Sequence, residues 1–263
     1  MSIAKSALVP SLTVLSLSIV AVGFVTRSTE AQSGTRPPQA KKPAGFALVE
    51  LFTSEGCSSC PPADRLLASI DKWGEENNQR VLALSFHVDY WNQLGWEDPY
   101  SSSAHTQRQR AYASARGERS VYTPQMIVNG GEGFVGSDSK RATQALSEAL
   151  TSTPTAELEI ASARREGDRI HVHYTVRGTA AGAVLNLALI DKQGSQSVPR
   201  GENAGRTLRH VNIVRAFHST PIAGEGAGNA SFALPAQAPA GRLIAYVQQP
   251  TTLSVVAAAE AEL

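Results

Sequence analysis

Apolar and polar positions alternate in two different ways along this chain. Ala47–Thr53 is a nearly unbroken apolar run, as in a strand buried on both faces, and residues 81–90 repeat the pattern. Between them, Pro61 and Pro62 suit a first helical turn, where a missing N–H costs nothing, and Leu66, Leu67 and Ile70 supply an apolar stripe. A second helix is expected from about Ser103, after the turn at Pro99. A strand over residues 122–129 is interrupted early by Pro124, and Asn129-Gly130-Gly131 then signals a hairpin into a short strand at Phe134 and Val135. Residues 139–150 close this half as a helix carrying Ala142, Ala145, Leu146 and Ala149 on one face. Past Pro154 the period changes to two. Ile170, Val172, Tyr174 and Val176 alternate with His171, His173 and Thr175, and further short strands are expected at 158–161, 184–190, 211–217, 231–234, 243–248 and 254–258. Gly, Pro and Asn cluster between them, so residues 154–263 read as an all-β sandwich-like module.

The start of the chain follows other rules. Residues 8–25 form an uncharged run of 18 behind Lys5, and Thr29-Glu30-Ala31 offers a small-x-small cleavage site. Residues 1–31 therefore read as a signal peptide, with a retained N-terminal anchor through 8–25 as the alternative, since 18 helical residues just span about 30 Å of hydrocarbon. Both readings send the folded part to an oxidising compartment, where a disulfide persists. Residues 32–45, with Pro37, Pro38 and Pro43, read as a linker. Removing Lys5, Arg27 and Glu30 from 24 basic and 23 acidic residues leaves 22 of each, so the mature chain is neutral. With its cations scattered rather than striped, it offers nucleic acid no basic surface.

The chain has two cysteines, Cys57 and Cys60, spaced C-x-x-C between a strand and a helix. Three chemistries fit the pair. A redox centre is favoured by the helix N-terminus, whose free N–H groups and dipole stabilise a thiolate at Cys57. A structural disulfide closes so small a loop that its chain-entropy benefit is only about 2 kcal/mol. Zinc needs four ligands and finds no second C-x-x-C, and copper would need His87 or His105. His87 ends the second strand, on the side where ligands gather in α/β sheets, and is a candidate for tuning a thiol pKa. Trp91, Trp96 and Tyr100 either cap the core or line a groove. His171 and His173 share a strand face without a carboxylate or Cys partner, and residues 200–206 read as a polar loop before a strand, a candidate contact to the first domain with no chemistry assigned.

The order strand, Cys57-x-x-Cys60, helix, strand, helix, Pro124, strand, strand, helix resembles the thioredoxin fold. Thr123-Pro124 followed by Gln125-Met126-Ile127-Val128-Asn129-Gly130 is similar to the cis-proline segment of that superfamily. The resemblance implies a cis residue at Pro124 and a substrate-binding main chain at Thr123. Glu50, in an apolar strand, resembles the buried acid that thioredoxins carry near this place, one residue off in spacing, and so is a second candidate for tuning a thiol pKa. A narrower likeness rests on residues 50–64, His87-Val88-Asp89-Tyr90-Trp91, Gly95-Trp96-Glu97-Asp98-Pro99 and Val121-Tyr122-Thr123-Pro124-Gln125. These segments resemble an uncharacterised bacterial exported family with a thioredoxin-like domain of unknown function (domain of unknown function 1223). The resemblance implies an α/β thioredoxin-like domain over residues 46–153. It also implies a periplasmic or secreted location, but the family has no assigned activity; the C-x-x-C pair at a helix start is what reads as thiol–disulfide exchange on a protein or peptide, with no organic cofactor. Cys57 would be the attacking thiolate, at an exposed helix N-terminus, and Cys60 the resolving thiol. The alternative is a non-catalytic binding module, or a copper protein using the cysteine pair.

Overall fold

The computed structural model describes residues 45–263 apart from 179 and 236–240. The expected leader at 1–31 and most of the linker lie outside the described residues. The first half follows the sequence pattern closely. Strand β1 (Ala47–Thr53) leads through the cysteine loop to helix α1 (Pro61–Glu76), then β2 (Val81–His87), α2 (Ser103–Ala115), β3 (Gln125–Val128), β4 (Phe134–Val135) and α3 (Ser139–Thr151). Helix α1 begins on its two prolines and buries Ala63, Leu67, Ile70 and Gly74. The other two helices start on side-chain caps: Ser102 accepts from the Ala104 N–H at 3.2 Å, and Asp138 from the Arg141 N–H at 3.0 Å. The second half is all strand: β5 (Ala156–Glu166), β6 (Arg169–Gly178), β7 (Val184–Ser197), β8 (Thr207–Pro221), β9 (Gly226–Ala233), β10 (Arg242–Gln248) and β11 (Val255–Glu262).

The sheets do not respect the change of period at Pro154. One eight-stranded mixed sheet runs β11-β10-β7-β8-β2-β1-β3-β4, and β5-β6-β9 form a separate three-stranded sheet. This corrects the expectation of an α/β thioredoxin-like domain followed by a β-sandwich. Among the described residues three α-helices stand against eleven strands, and strands of both halves join edge to edge where β2 meets β8 in parallel at Ser85 and Ile213. The physical reason lies in β2. Its edge would otherwise present unpaired main-chain groups beside buried Leu84 and Phe86, and β8 covers that edge.

Strand alternation then distributes three cores. Leu185, Leu187 and Leu189 of β7, with Leu243, Ala245 and Val247 of β10, face the three-stranded sheet. The opposite faces of the same strands, Ala188, Ile190, Ile244 and Tyr246, share a core with Leu48 and Phe52 of β1, Phe86 of β2 and Tyr112 of α2. The third core packs Ala47, Val49 and Leu51 of β1 under α1 and α3. Cysteine loop and α1 therefore sit on one face of β1, and α2 on the other.

Candidate functional site: a covered disulfide and its buried acid–imidazole cluster

Cys57 and Cys60 are joined as a disulfide, with their Cα atoms 5.4 Å apart. Two tight turns carry the chain into α1, closed by Cys57 N–H to the Ser54 carbonyl and Cys60 N–H to the Cys57 carbonyl, each 3.2 Å. Cys60, not Cys57, is the N-cap of α1. Pro61 and Pro62 bring no N–H to the helix start, and the next two donors, Ala63 and Asp64, both bond the Cys60 carbonyl, at 2.8 and 3.1 Å. The expected cradle of free N–H groups around a Cys57 thiolate is thus not formed. The Ser59 Oγ lies 3.3 Å from the Cys57 Sγ.

Contrary to the expected exposed position of Cys57, both cysteines have 0% exposure. Residues 199–206, in the loop joining β7 to β8, are tied to the main chain of the cysteine segment. Asn203, itself fully buried, donates from Nδ2 to the carbonyls of Glu55 (2.8 Å) and Cys57 (2.9 Å). The Glu202 carboxylate accepts from the Ser58 N–H at 2.9 Å, and hydrogen bonds from the Ser58 side chain first and then its main chain hold its pKa below the usual carboxylate value. Neither residue carried any local sequence signal for this contact, because it spans more than 140 positions of chain.

Behind the disulfide lies a dense group of buried ionisable side chains. Glu55, two residues before Cys57, accepts from Trp96 Nε1 at 2.9 Å and faces His210 Nε2 at 3.1 Å. Its main-chain N–H donates to Asp98 Oδ2, which also meets His87 Nδ1 at 2.7 Å. Burial pulls the His87 pKa down, but Asp98, Asp64 and Glu55 together outweigh it and hold the imidazole above its ordinary value. Asp98 moves the opposite way: burial raises it, and His87 with two main-chain N–H groups brings it below normal. Asp64 accepts from Thr53 Oγ1 at 2.8 Å, and burial keeps its carboxyl above the usual carboxylate value against the pull of His210 and His87. Rings of His87 and His210 stand edge to face, 4.6 Å apart. His87 Nε2 and His210 Nδ1 are buried without a hydrogen-bond partner among the described residues. A pocket of about 720 Å³, bordered by Asp64, His210, Arg65 and Arg209, opens beside this group.

The Thr123–Pro124 peptide is cis. Trp91 ties this segment to the cysteine loop: its Nε1 donates to Thr123 Oγ1 at 2.8 Å, while its Cβ sits against Gly56. A Cβ on Gly136 would lie 3.1 Å from both Pro124 and Ala63, which places the proline against the first turn of α1. Glu50 is elsewhere. On the α2 face of β1 its carboxylate accepts from Arg108 Nε at 2.6 Å, from Tyr246 at 3.2 Å and from Tyr112. It closes an ion pair inside the shared core and does not face the cysteines, so Glu50 is withdrawn as a tuning group for them. His87 belongs to the acid–imidazole cluster through Asp98. Among the described residues no three His, Cys, Asp or Glu side chains are arranged to hold a metal ion, the proposed Cys57, Cys60 and His87 set included. His171, on the central strand of the small sheet, sits 3.6 Å from Glu166 of β5.

Fold and site together define a mostly β protein with a covered C-x-x-C disulfide set on an acid–imidazole cluster. Residues 48–248 match the model of a family described as protein of unknown function (DUF1223), and the chain belongs to that family. A solved structure similar to it is protein AGR_C_4864 from Agrobacterium tumefaciens, at 28% identity and a TM-score of 0.63, covering 82% of this chain and 94% of that one. A β-glucosidase from Kluyveromyces marxianus aligns over 42% of this chain and 14% of its own, at 14% identity and a TM-score of 0.21, which carries no argument. No curated protein matches.

Proposed function

We propose that this protein is a thiol–disulfide oxidoreductase of an oxidising, extracytoplasmic compartment, acting on polypeptides through Cys57 and Cys60. The observation that carries the reading is Asp64. It lies four residues after Cys60 on α1, a spacing that brings side chains to about 5–6 Å between Cβ atoms. It is buried, and burial favours its protonated form. A purely structural bridge gains nothing from a desolvated acid one turn below it, whereas a leaving thiolate needs a proton.

The exchange runs as follows. A partner thiolate attacks the Cys57 sulfur, the Cys57–Cys60 bond breaks, and its electron pair leaves on Cys60, which takes the Asp64 proton. Asp64 is reprotonated from water in the adjoining pocket. A second partner thiolate then attacks the partner sulfur of the mixed disulfide and releases Cys57 as thiolate, which water protonates. Two partner thiols become one disulfide, and the pair gains two electrons and two protons. Run backwards, the same steps reduce a partner. Thr123, beside cis-Pro124, would offer its main chain to the partner segment; its N–H and carbonyl have no main-chain partner among the described residues.

Cys60→Ser should accumulate mixed disulfides with polypeptide thiols, and Cys57→Ser should not. Equilibration with glutathione should give the pair a reduction potential between those of thioredoxin and strong oxidants, roughly −270 to −120 mV. Failure of both variants to trap, together with a potential below about −300 mV, would return the pair to a structural bridge.

A further inference from the structure

We propose that the loop of residues 199–206 is a latch seated in the polypeptide-binding site over Cys57–Cys60, and that Asn203 is its pin. This rests on the exchange function proposed above and names the kind of partner that function requires. The loop keeps its own shape: Val198 N–H bonds the Arg206 carbonyl at 2.9 Å, Gly205 N–H the Val198 carbonyl at 2.8 Å, and Ala204 N–H the Gly201 carbonyl at 3.1 Å. Gly201 and Gly205, both at φ +79°, bracket the Glu202–Asn203 tip in a conformation that glycine alone adopts freely. Its hold on the cysteine segment is made by side chains alone. Asn203 supplies two donors and Glu202 one acceptor, and no main-chain ladder joins the two segments among the described residues. Such a contact opens by withdrawing one buried side chain while the β7–β8 hairpin stays intact.

The groups under the latch define what replaces it. Opening frees the carbonyls of Glu55 and Cys57 and the Ser58 N–H, two acceptors and one donor on consecutive turns. An extended polypeptide carries the matching N–H and C=O groups in its main chain, whereas a small thiol leaves them unpaired. Leu94 and Tyr122, 56% and 38% exposed, add apolar surface on the Trp91–Thr123 side. The partner is therefore a cysteine-bearing extended segment, and the latch holds the disulfide away from small thiols until that segment arrives.

The test follows the rate of Cys57–Cys60 reduction in the full-length protein by two reductants at equal thiol concentration, glutathione and an unstructured cysteine-bearing decapeptide. The wild type should react faster with the peptide. Asn203→Ala should raise the glutathione rate about tenfold or more and shrink the peptide's advantage, while Glu202→Gln, which keeps an acceptor oxygen, stays within about twofold of wild type. Ile244→Val, a core change away from the loop, controls for global loosening. Unchanged glutathione rates in Asn203→Ala, an equal rise in Ile244→Val, or a wild type that reacts equally with both reductants would each overturn the latch. Partner trapping by Cys60→Ser reads the exchange function separately, so the two ideas fail on different measurements.

Discussion

His105 is enclosed between the Phe86 ring, 5.2 Å away edge to face, and the main-chain carbonyl of His87, 2.9 Å from its Nδ1. Burial pushes its pKa down from 6.5 to about 4, so the folded protein holds it neutral. The unfolded chain takes up the proton near pH 6.5 and the folded chain only near pH 4. Its contribution is therefore complete above pH 6.5 and lost as pH falls toward 4, about 3 kcal/mol over that window. Urea titrations should show His105→Asn losing its stability deficit relative to wild type between pH 7 and pH 4; a deficit that stays constant would refute the assignment. The same scale explains one sequence misreading. Glu50 attracted notice as an acid in an apolar strand, yet the period of two places Leu48, Glu50 and Phe52 on one face and Val49 and Leu51 on the other, under α1. Asp64 was missed, although its i,i+4 relation to Cys60 was a local signal that could have marked it. His210 had no such signal, since nothing local marks a histidine that meets Glu55 from 155 residues away.

Among elements, helix starts were readable because caps and prolines are local chemistry, as were the bounds of β1 and β4, but the ends of the long strands of the second half were not. Strand β8 runs from Thr207 to Pro221, far beyond the apolar stretch at 211–217, because β7 pairs with its polar ends, including Gly194 with His210 and Leu185 with Thr220. The turn after β3 shows what such distant contacts demand. Gly130 has φ +69°, and a Cβ there would stand 1.7 Å from the Leu253 carbonyl oxygen. Gly167 has φ +60° with nothing within 4 Å of its would-be Cβ. Gly167→Ala should cost about 1–2 kcal/mol, the left-handed penalty alone. Gly130→Ala should cost clearly more, because Leu253 and the Val255–Asn129 main-chain bond must also shift. Equal losses in chemical denaturation would mean that the turn and the Leu253 segment move apart freely.

At the scale of the whole molecule, the question is whether the half that bears the cysteines stands by itself. The change of period at Pro154 invites a cut there, and Thr151, Ser152, Thr153 and Thr155 are exposed enough for a protease. The core argues otherwise. Leu48, Phe52, Phe86 and Tyr112 are covered by Ala188, Ile190, Val214, Ile244 and Tyr246 from beyond the cut. The buried Arg108–Glu50 pair completes its polar contacts only with Tyr246 and Gln248. Removing the second half would leave that pair partly unsatisfied beside a broad apolar surface and an unpaired β2 edge. A protein spanning residues 45–153 alone should bind a hydrophobic dye, self-associate and lack a cooperative melt. Intact protein nicked between Thr151 and Thr155 should instead elute as one particle in gel filtration and come apart only in denaturant. A soluble, monomeric 45–153 fragment with a sharp melt would show that β8 merely leans on β2. The latch would then be a contact between independent domains, and its opening would follow their separation rather than the withdrawal of Asn203.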